Sequence, residues 1–188
     1  MKVLLIASTM ALAVASTCLR AETMTMPAAS GPTPKALAAA AKVPSTAAFI
    51  QTAAAANQFE IASSRLALVK SLNPKVRVFA AKMIMDHSRI GTEFVAALRT
   101  ADTGIVPPAG LGADLDAAMA RLRAASGTAF EAEYVAAQTK GHQAAVGLFA
   151  GYAKGGANPV MKDFAKAILP TIQMHLGMCY QLAAALKK

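Results

Sequence analysis

Two Asn-Pro pairs divide most of the chain into long stretches of helical periodicity, and their spacing constrains the fold more than any other feature. In each pair, at Asn73-Pro74 and at Asn158-Pro159, Asn can cap a helix whose first turn contains the proline. Phe-Ala follows both pairs at offsets six and seven, as Phe79-Ala80 and as Phe164-Ala165. The chain is therefore predicted to contain two helical hairpins, each joining antiparallel helices through a short turn.

Five helices are predicted from the apolar periodicity and from the residues that start and end helices. They cover residues 45–70, 74–100, 113–125, 128–153 and 159–186. The stretch from 101 to 127 links the two hairpins and is rich in Gly and Pro over its first half. One long crossover between two hairpins predicts an all-α, ferritin-like, up-down four-helix bundle with a short extra helix.

The N-terminal residues have the pattern of a secretory signal peptide. Lys2 precedes a short apolar stretch and then small residues, and cleavage fits after Ala15 or after Ala21. We assign residues 1–21 to the signal peptide. Residues 22–44 are rich in Pro and Ala and are predicted to be a disordered leader apart from a helical turn near 36–41. The ferritin-like domain is then expected to span residues 45–188.

A signal peptide predicts a periplasmic protein, although two alternatives remain. The segment could stay uncleaved as an anchor, or Cys18 could be lipidated, for which Thr17 is a poor neighbour. The formal charge of +9 is scattered, with no run of like charge. This pattern disfavours nucleic acid as a partner and favours non-specific contact with the anionic cell-envelope surface.

Ionisable residues occur within the apolar stripes of all four long helices. Residues three or four apart share one helix face, and on this basis five side chains point inward: Glu60, His87, Glu131, His142 and His175. A buried charge without a partner is costly. These groups must therefore satisfy each other or hold a metal ion, as Glu and His do in many bundles. Imidazole and carboxylate ligands suit Zn, Fe, Cu or Mn.

The lengths of the two hairpins place these residues at similar heights. Counted from the intervening turn, Glu60 and His87 are 12 and 15 residues away, and His142 and His175 are 15 and 18 away. At the helical rise, each pair differs by about 5 Å in height. Glu131 is three turns from His142, about 16 Å along the axis, and cannot share one compact site with it.

The predicted metal ligands are Glu60, His87, His142 and His175, with Asp86 and Glu131 in support. Structural interpretations compete with several of these roles. Glu131 follows Thr128 by three residues, as in a capping box. Asp86 could brace a histidine or face water. His175 and Cys179 could be an ordinary core histidine beside a core thiol.

No catalytic motif is present. The Glu-x-x-His pattern of di-iron bundles is absent, because Ile84, Thr139 and Ile172 occupy the positions three before the histidines. The chain also lacks Gly-x-Ser-x-Gly, His-Glu-x-x-His and a phosphate-binding glycine loop. No catalytic or cofactor-binding residue is predicted, and ferroxidase chemistry is not supported.

The residues around the histidines resemble those of the bacterial domain of unknown function 4142. The resemblance extends over residues 45–186 and is most specific at Asp86-His87, at Leu169-Pro170 and at His175. It implies an exported, ferritin-like protein, often described as a predicted outer-membrane protein, with no established activity. Position 131 departs from the family, which commonly has Asp where this chain has Glu. The long helices do not fit the outer-membrane description, so we expect a periplasmic protein and keep association with the outer membrane as an open alternative.

Two functional hypotheses follow from these observations. The first is a periplasmic protein that binds a transition metal inside the bundle. The second is a non-catalytic envelope or stress protein whose inward Glu and His residues form only a buried polar network. An enzyme would additionally need an open coordination position or a cleft.

Overall fold

The chain is all-helical in a computed structural model that describes residues 31–187. Six helices form within this range: α1 (Pro34–Ala39), α2 (Thr46–Lys70), α3 (Pro74–Ala101), α4 (Ala113–Ala124), α5 (Gly127–Gly155) and α6 (Pro159–Leu186). The same residues contain no strand, which confirms the predicted all-α class. None of these helices combines the length and apolarity needed to cross a membrane. The predicted signal peptide, both cleavage positions and Cys18 lie outside the described residues.

Polar caps start three of the long helices where the sequence predicts. The Ser45 hydroxyl accepts a hydrogen bond from the Ala48 amide at the start of α2. The side-chain oxygens of Asn73 and Asn158 do the same at the starts of α3 and α6. Each cap satisfies an amide that the first helical turn would otherwise leave without a partner.

The N-terminal end of the structured region differs from the prediction. α1 begins after Thr33, whose hydroxyl accepts a hydrogen bond from the Ala36 amide. This short helix packs against α5 and α6. Part of the segment assigned to a leader, from residue 31 onwards, therefore contacts the helices that follow it.

The four long helices form a closed ring in which α2 packs on α3 and α5, and α6 packs on α5 and α3. α2 and α5 are antiparallel, because Ser64 lies opposite Tyr134 and Phe49 lies opposite Phe149. α3 and α6 are also antiparallel, with contacts of Asp86 to His175 and of Phe94 to Phe164. α4, in the crossover, lies against α2 and α5.

The hydrophobic core consists of two clusters at different heights in the ring. One includes Phe49, Phe149 and Phe164, and the other includes Phe79 and Phe130. The buried histidines occupy the level between the two clusters on α3, α5 and α6. The fold therefore encloses a polar layer between two apolar layers.

Candidate metal centre

The three histidines of the chain converge at the centre of the ring, one each from α3, α5 and α6. His87, His142 and His175 are all buried, with 4%, 1% and 0% of their surface exposed. Their ring centroids lie 5.3 to 5.7 Å apart. One ring nitrogen from each lies within 4.8 Å of those of the other two. Each pair is predicted from the sequence to share a level within its own hairpin, and the packing of the two hairpins on each other brings the three rings into a single group.

Each histidine uses one ring nitrogen to bond a nearby oxygen. His87 Nδ1 donates to Asn57 Oδ1 (3.0 Å), His142 Nδ1 to the Gln138 carbonyl oxygen (2.9 Å) and His175 Nε2 to Asp86 Oδ2 (2.7 Å). Because these oxygens accept, the three nitrogens carry the hydrogen atoms. In a neutral imidazole the other nitrogen then has a free lone pair.

The other nitrogens have no partner among the described residues. His87 Nε2, His142 Nε2 and His175 Nδ1 are buried and make no hydrogen bond. Leaving a buried polar atom unpaired costs about 1–3 kcal/mol, and such atoms are rare in native structures. Metal-binding histidines show the same arrangement, with one nitrogen donating to an oxygen and the other free for the ion.

Burial keeps the imidazoles of His87 and His175 neutral. It lowers the pKa of His87 well below the usual value, and the neighbouring His142 and His175 lower it further. Burial also lowers the pKa of His175, to about 4, although the hydrogen bond to Asp86 opposes the shift. At neutral pH both rings are therefore in the form that binds metal ions.

Asp86 holds the His175 ring in place through a hydrogen bond. Its carboxylate accepts the His175 hydrogen bond and forms an ion pair with Lys82 at 3.0 Å. Burial raises the pKa of Asp86, but the hydrogen bonds from His175 and Lys82 outweigh burial and leave the pKa below its usual value. Of the two roles predicted for Asp86, the structure shows the one in contact with a histidine.

Glu60 lies beside the histidine group and outside it. Its Oε1 is 3.7 Å from His142 Nδ1, which is the nitrogen that donates to a carbonyl. Its Oε2 is buried without a partner. Burial raises the pKa of Glu60, and the neighbouring His142 and Gln138 side chains oppose the shift. The three histidines thus form the compact set of candidate ligands, with Glu60 next to them.

Glu131 is remote from this group, as its height along the helix predicts. Its carboxylate accepts hydrogen bonds from Ser71 Oγ at 2.6 Å and from Asn73 Nδ2 at 3.2 Å. The capping-box interpretation is wrong, because α5 starts at Gly127 after Ser126 without a side-chain cap. Glu131 instead ties the α2–α3 turn to the start of α5.

Two partners of the histidines had no predicted role. Asn57 and Gln138 lie on the inward stripes of α2 and α5. Asn57 precedes Glu60 by one helical turn, and this spacing is the signal that could have identified it. Cys179 Sγ lies 3.8 Å from His142 Nδ1, and burial raises the pKa of this thiol well above its usual value. A protonated thiol facing the donating nitrogen is consistent with a core residue.

The chain matches the model of a known protein family. A family model described as "Domain of unknown function (DUF4142)" matches residues 31–182. No curated protein and no solved structure matches the chain significantly. The matched range begins within the segment before α1, and it includes all three histidines.

Proposed function

Because the chain belongs to the DUF4142 family, whose description names no activity, we propose a function from the geometry of its centre. The protein binds one divalent transition-metal ion between His87, His142 and His175. The observation that supports this proposal is the convergence of three buried histidines. One ring nitrogen of each lies within 4.8 Å of those of the other two, and each ring has one nitrogen without a hydrogen-bond partner among the described residues.

The spacing of the nitrogens suits an ion after a small closure of the rings. Tetrahedral bonds of about 2.1 Å place nitrogen ligands about 3.4 Å apart. The candidate nitrogens lie within 4.8 Å of each other. Three histidine nitrogens leave at least one coordination position for Glu60 or for an exogenous ligand.

The ligand set favours some of the predicted metals over others. Imidazole suits Zn, Cu and Fe, whereas Mn prefers oxygen ligands. With three imidazoles and a single nearby carboxylate, Zn, Cu and Fe are the preferred ions and Mn is the least favoured of the four.

The wider proposal concerns architecture and location. The protein is a ferritin-like four-helix bundle, which the antiparallel ring of long helices and the single crossover containing α4 support. It is exported to the periplasm, as the N-terminal pattern suggests. Its net positive charge would favour association with the outer membrane and other anionic envelope surfaces.

The alternative is a structural role for the polar layer, in a non-catalytic envelope or stress protein. Hydrogen bonds of the histidines to Asn57 and Asp86 favour it. The unpaired nitrogens count against it, because a polar network that serves stability alone should satisfy its members.

The test is a titration of the metal-free protein with Zn²⁺, Cu²⁺ and Fe²⁺, the last without oxygen. Wild type should bind one ion, and His87→Ala and His175→Ala should each lose it. Glu131→Ala is the control, because it removes a partly buried carboxylate remote from the centre. Equal binding by wild type and both histidine variants would refute the proposal. No binding by any of them, with lower melting temperatures for the histidine variants, would favour the structural role.

A further inference from the structure

Three large apolar side chains are exposed around the turn between α2 and α3. Leu72, in the turn itself, is 91% exposed, and Val69 and Val78, one on each adjoining helix, are 81% and 70% exposed. Scattered single apolar residues are normal on protein surfaces. Here three of them fall within one short segment, residues 69–78, which we call the tip. The tip is therefore an apolar projection at one end of the helical ring.

Hydrogen bonds hold the backbone of the tip in place. The Arg77 guanidinium donates to the Ser71 carbonyl oxygen at 3.2 Å, and the Ser71 hydroxyl donates to the Glu131 carboxylate at 2.6 Å. Ser71 itself is buried, although its neighbour Leu72 faces solvent. Because this backbone is already ordered, Leu72 can bind a partner with little further loss of conformational entropy.

An open groove between α3 and α6 extends the apolar surface away from the tip. Its volume is about 410 Å³, and Val78, Met178 and Ala185 are among the residues that line it. The polar side chains in its lining are those of Lys75 and Gln181. The apolar surface at this end is therefore larger than the three exposed side chains alone.

Basic side chains surround the tip. The end of α4 lies beside it, because the Lys70 ammonium group donates to the Ala125 carbonyl oxygen. The end of α6 lies beside it as well, because Pro74 and Ala185 line the same groove. Four basic residues at this end of the ring are exposed: Lys75, Arg77, Arg123 and Lys187.

Positive charge is in excess at this end of the ring. Among the described residues, none of these four basic side chains forms an ion pair. The first two turns of α5, which begins at the same end, contain Glu131 and Glu133. The Glu131 carboxylate is bonded to Ser71, and Glu133 pairs with Arg121. The positive charge around the tip is therefore available to an external partner.

The opposite end of the ring has a different surface. Lys154, near the end of α5, is exposed there together with the acidic residues Asp102 and Asp163. Val106 is 81% exposed, as Val69 is, but it lies on the crossover. Among the described residues, the combination of an apolar projection with unpaired positive charge is therefore specific to the tip.

An anionic phospholipid bilayer is the partner that matches this combination. Apolar side chains gain free energy below the lipid headgroups, while Lys and Arg are attracted to the anionic headgroups. Their long stems let the charges stay at headgroup level. Protein interfaces instead are depleted in Lys and rely on aromatic residues, and residues 69–78 contain no aromatic residue.

We propose that the tip docks the protein on an anionic phospholipid bilayer. Leu72 inserts below the headgroups, with Val69 and Val78 at the interface, and the surrounding basic side chains contact the phosphates. The helical ring then stands with its α2–α3 turn toward the membrane. This inference rests on the association with anionic envelope surfaces proposed above and does not depend on the metal.

The test uses tryptophan fluorescence, because the chain has no tryptophan of its own. In Leu72→Trp the new side chain reports on the tip alone. Vesicles that contain phosphatidylglycerol should shift its emission saturably to shorter wavelength, since the ring enters an apolar layer. Vesicles of phosphatidylcholine alone should leave it unchanged. Val106→Trp is the matched control, because position 106 is equally accessible but lies away from the tip, and its emission should not shift.

Vesicle sedimentation measures the contributions of the apolar and the charged groups. Leu72→Ser should bind phosphatidylglycerol vesicles about tenfold more weakly than wild type, since burial of a leucine contributes at least that much. Lys75→Glu should also bind about tenfold more weakly, because it reverses a charge at the membrane surface. Lys154→Glu makes the same change in net charge at the opposite end and should bind within about twofold of wild type.

The outcomes distinguish this inference from the association that it rests on. Equal vesicle binding by wild type, Leu72→Ser and Lys75→Glu would overturn the tip and leave a non-specific association through net charge. Absence of vesicle binding by wild type would overturn both, and the metal-binding function would stand. Equal emission shifts in the two tryptophan variants would also overturn the tip. A shift of Leu72→Trp that depends on protein concentration without vesicles would overturn it in favour of a second copy of the chain.

Discussion

At the residue scale, the centre depends on which nitrogen of each imidazole carries the hydrogen. Three different acceptors set this choice: an amide oxygen of Asn57, a backbone carbonyl of Gln138 and a carboxylate of Asp86. Each acceptor holds the N–H on the side of the ring away from the free nitrogen. If the protein binds an ion as proposed, the three free nitrogens are available to it without a change of tautomer.

The carboxylate of Asp86 should strengthen metal binding through His175. In Asp86→Asn the side chain keeps an oxygen acceptor but loses its charge, which makes His175 a weaker ligand. Loss of such a partner typically weakens metal affinity by about 10- to 100-fold. Competition with a chelator of known affinity would measure the change.

Glu93→Gln is the control for this prediction, since the Glu93 side chain is 42% exposed and its one ion pair among the described residues is with Arg89 on the same helix. It should bind metal as wild type does. An Asp86→Asn affinity within twofold of wild type would mean that the carboxylate does not act through the histidine.

The metal-free protein should lose stability in mild acid. The pKa of His175 is about 4 in the folded chain, against an ordinary 6.5. Between these values the unfolded chain binds a proton that the folded chain does not, so the free energy of unfolding falls as the pH drops from about 6.5 to about 4. A pKa difference of this size corresponds to about 3 kcal/mol.

His175→Gln isolates this contribution, because Gln can still donate to Asp86 but does not titrate. Urea unfolding of both proteins at several pH values should give a shallower acid-side loss in the variant. Parallel pH dependences would show that another group is responsible. Glu60 titrates in both proteins, so its opposite contribution largely cancels in the comparison.

The sequence identifies the three histidines as candidate metal ligands but does not distinguish their role from that of Glu60. The helical rise fixes the height of each residue relative to its turn, and the three rings do converge near one level. Which nitrogen faces the shared space depends on helix rotation and on χ angles, which sequence does not show. Glu60 therefore looks like a fourth ligand in sequence and lies beside His142 in the structure.

At the element scale, the helix ends are predictable where a side chain caps them. Asn73 and Asn158 start their helices as expected. The start of α5 is different, because Gly127 adopts a positive φ of 55° and Ser126 makes no side-chain cap. Thr128 and Glu131 have the capping-box spacing. The Glu131 carboxylate instead accepts tertiary hydrogen bonds from Ser71 and Asn73.

Removing the Glu131 side chain should lower the stability of the fold and leave metal binding unchanged. Glu131→Ala removes the acceptor for Ser71 and Asn73, and hydrogen bonds to a charged group contribute about 1.5–3 kcal/mol each at most. Calorimetry should show a lower melting temperature with unchanged metal stoichiometry. Loss of the metal in this variant, with the fold intact by circular dichroism, would contradict the assignment.

At the scale of the whole molecule, the segment before α2 packs on the helical ring. Tyr180 donates a hydrogen bond to the Pro32 carbonyl at 2.7 Å and accepts one from Gln143. The Lys42 carbonyl lies so close to Gly151 that a Cβ there would be 1.8 Å from its oxygen. A disordered leader is predicted for residues 22–44 because their Pro and Ala content does not indicate these tertiary contacts.

Gly151→Ala should displace this segment. The added methyl group cannot fit beside Lys42, so residues 40–44 must move away from α5. Trypsin should then cleave at Lys35 and Lys42 faster than in wild type. Gly147→Ala is the control, because nothing lies within 4 Å of the new Cβ, and Ala in a helix stabilises by up to about 1 kcal/mol. Equal cleavage of wild type and Gly151→Ala would show that the contact does not restrain the segment.

The polar layer between two apolar clusters is the feature of the whole molecule that requires explanation. It leaves five buried side-chain atoms without partners among the described residues: Glu60 Oε2, His87 Nε2, Gln138 Oε1, His142 Nε2 and His175 Nδ1. Three of them are the free histidine nitrogens. A bound ion would satisfy these three and link α3, α5 and α6 at one point.

The most direct test is elemental analysis of the protein, purified from its native host without chelators or an affinity tag. If the three histidines hold a metal ion, wild type should contain one transition-metal ion per chain and His87→Ala should contain none. Wild-type protein without metal, still without it after incubation with zinc, copper, iron and manganese, would contradict the account.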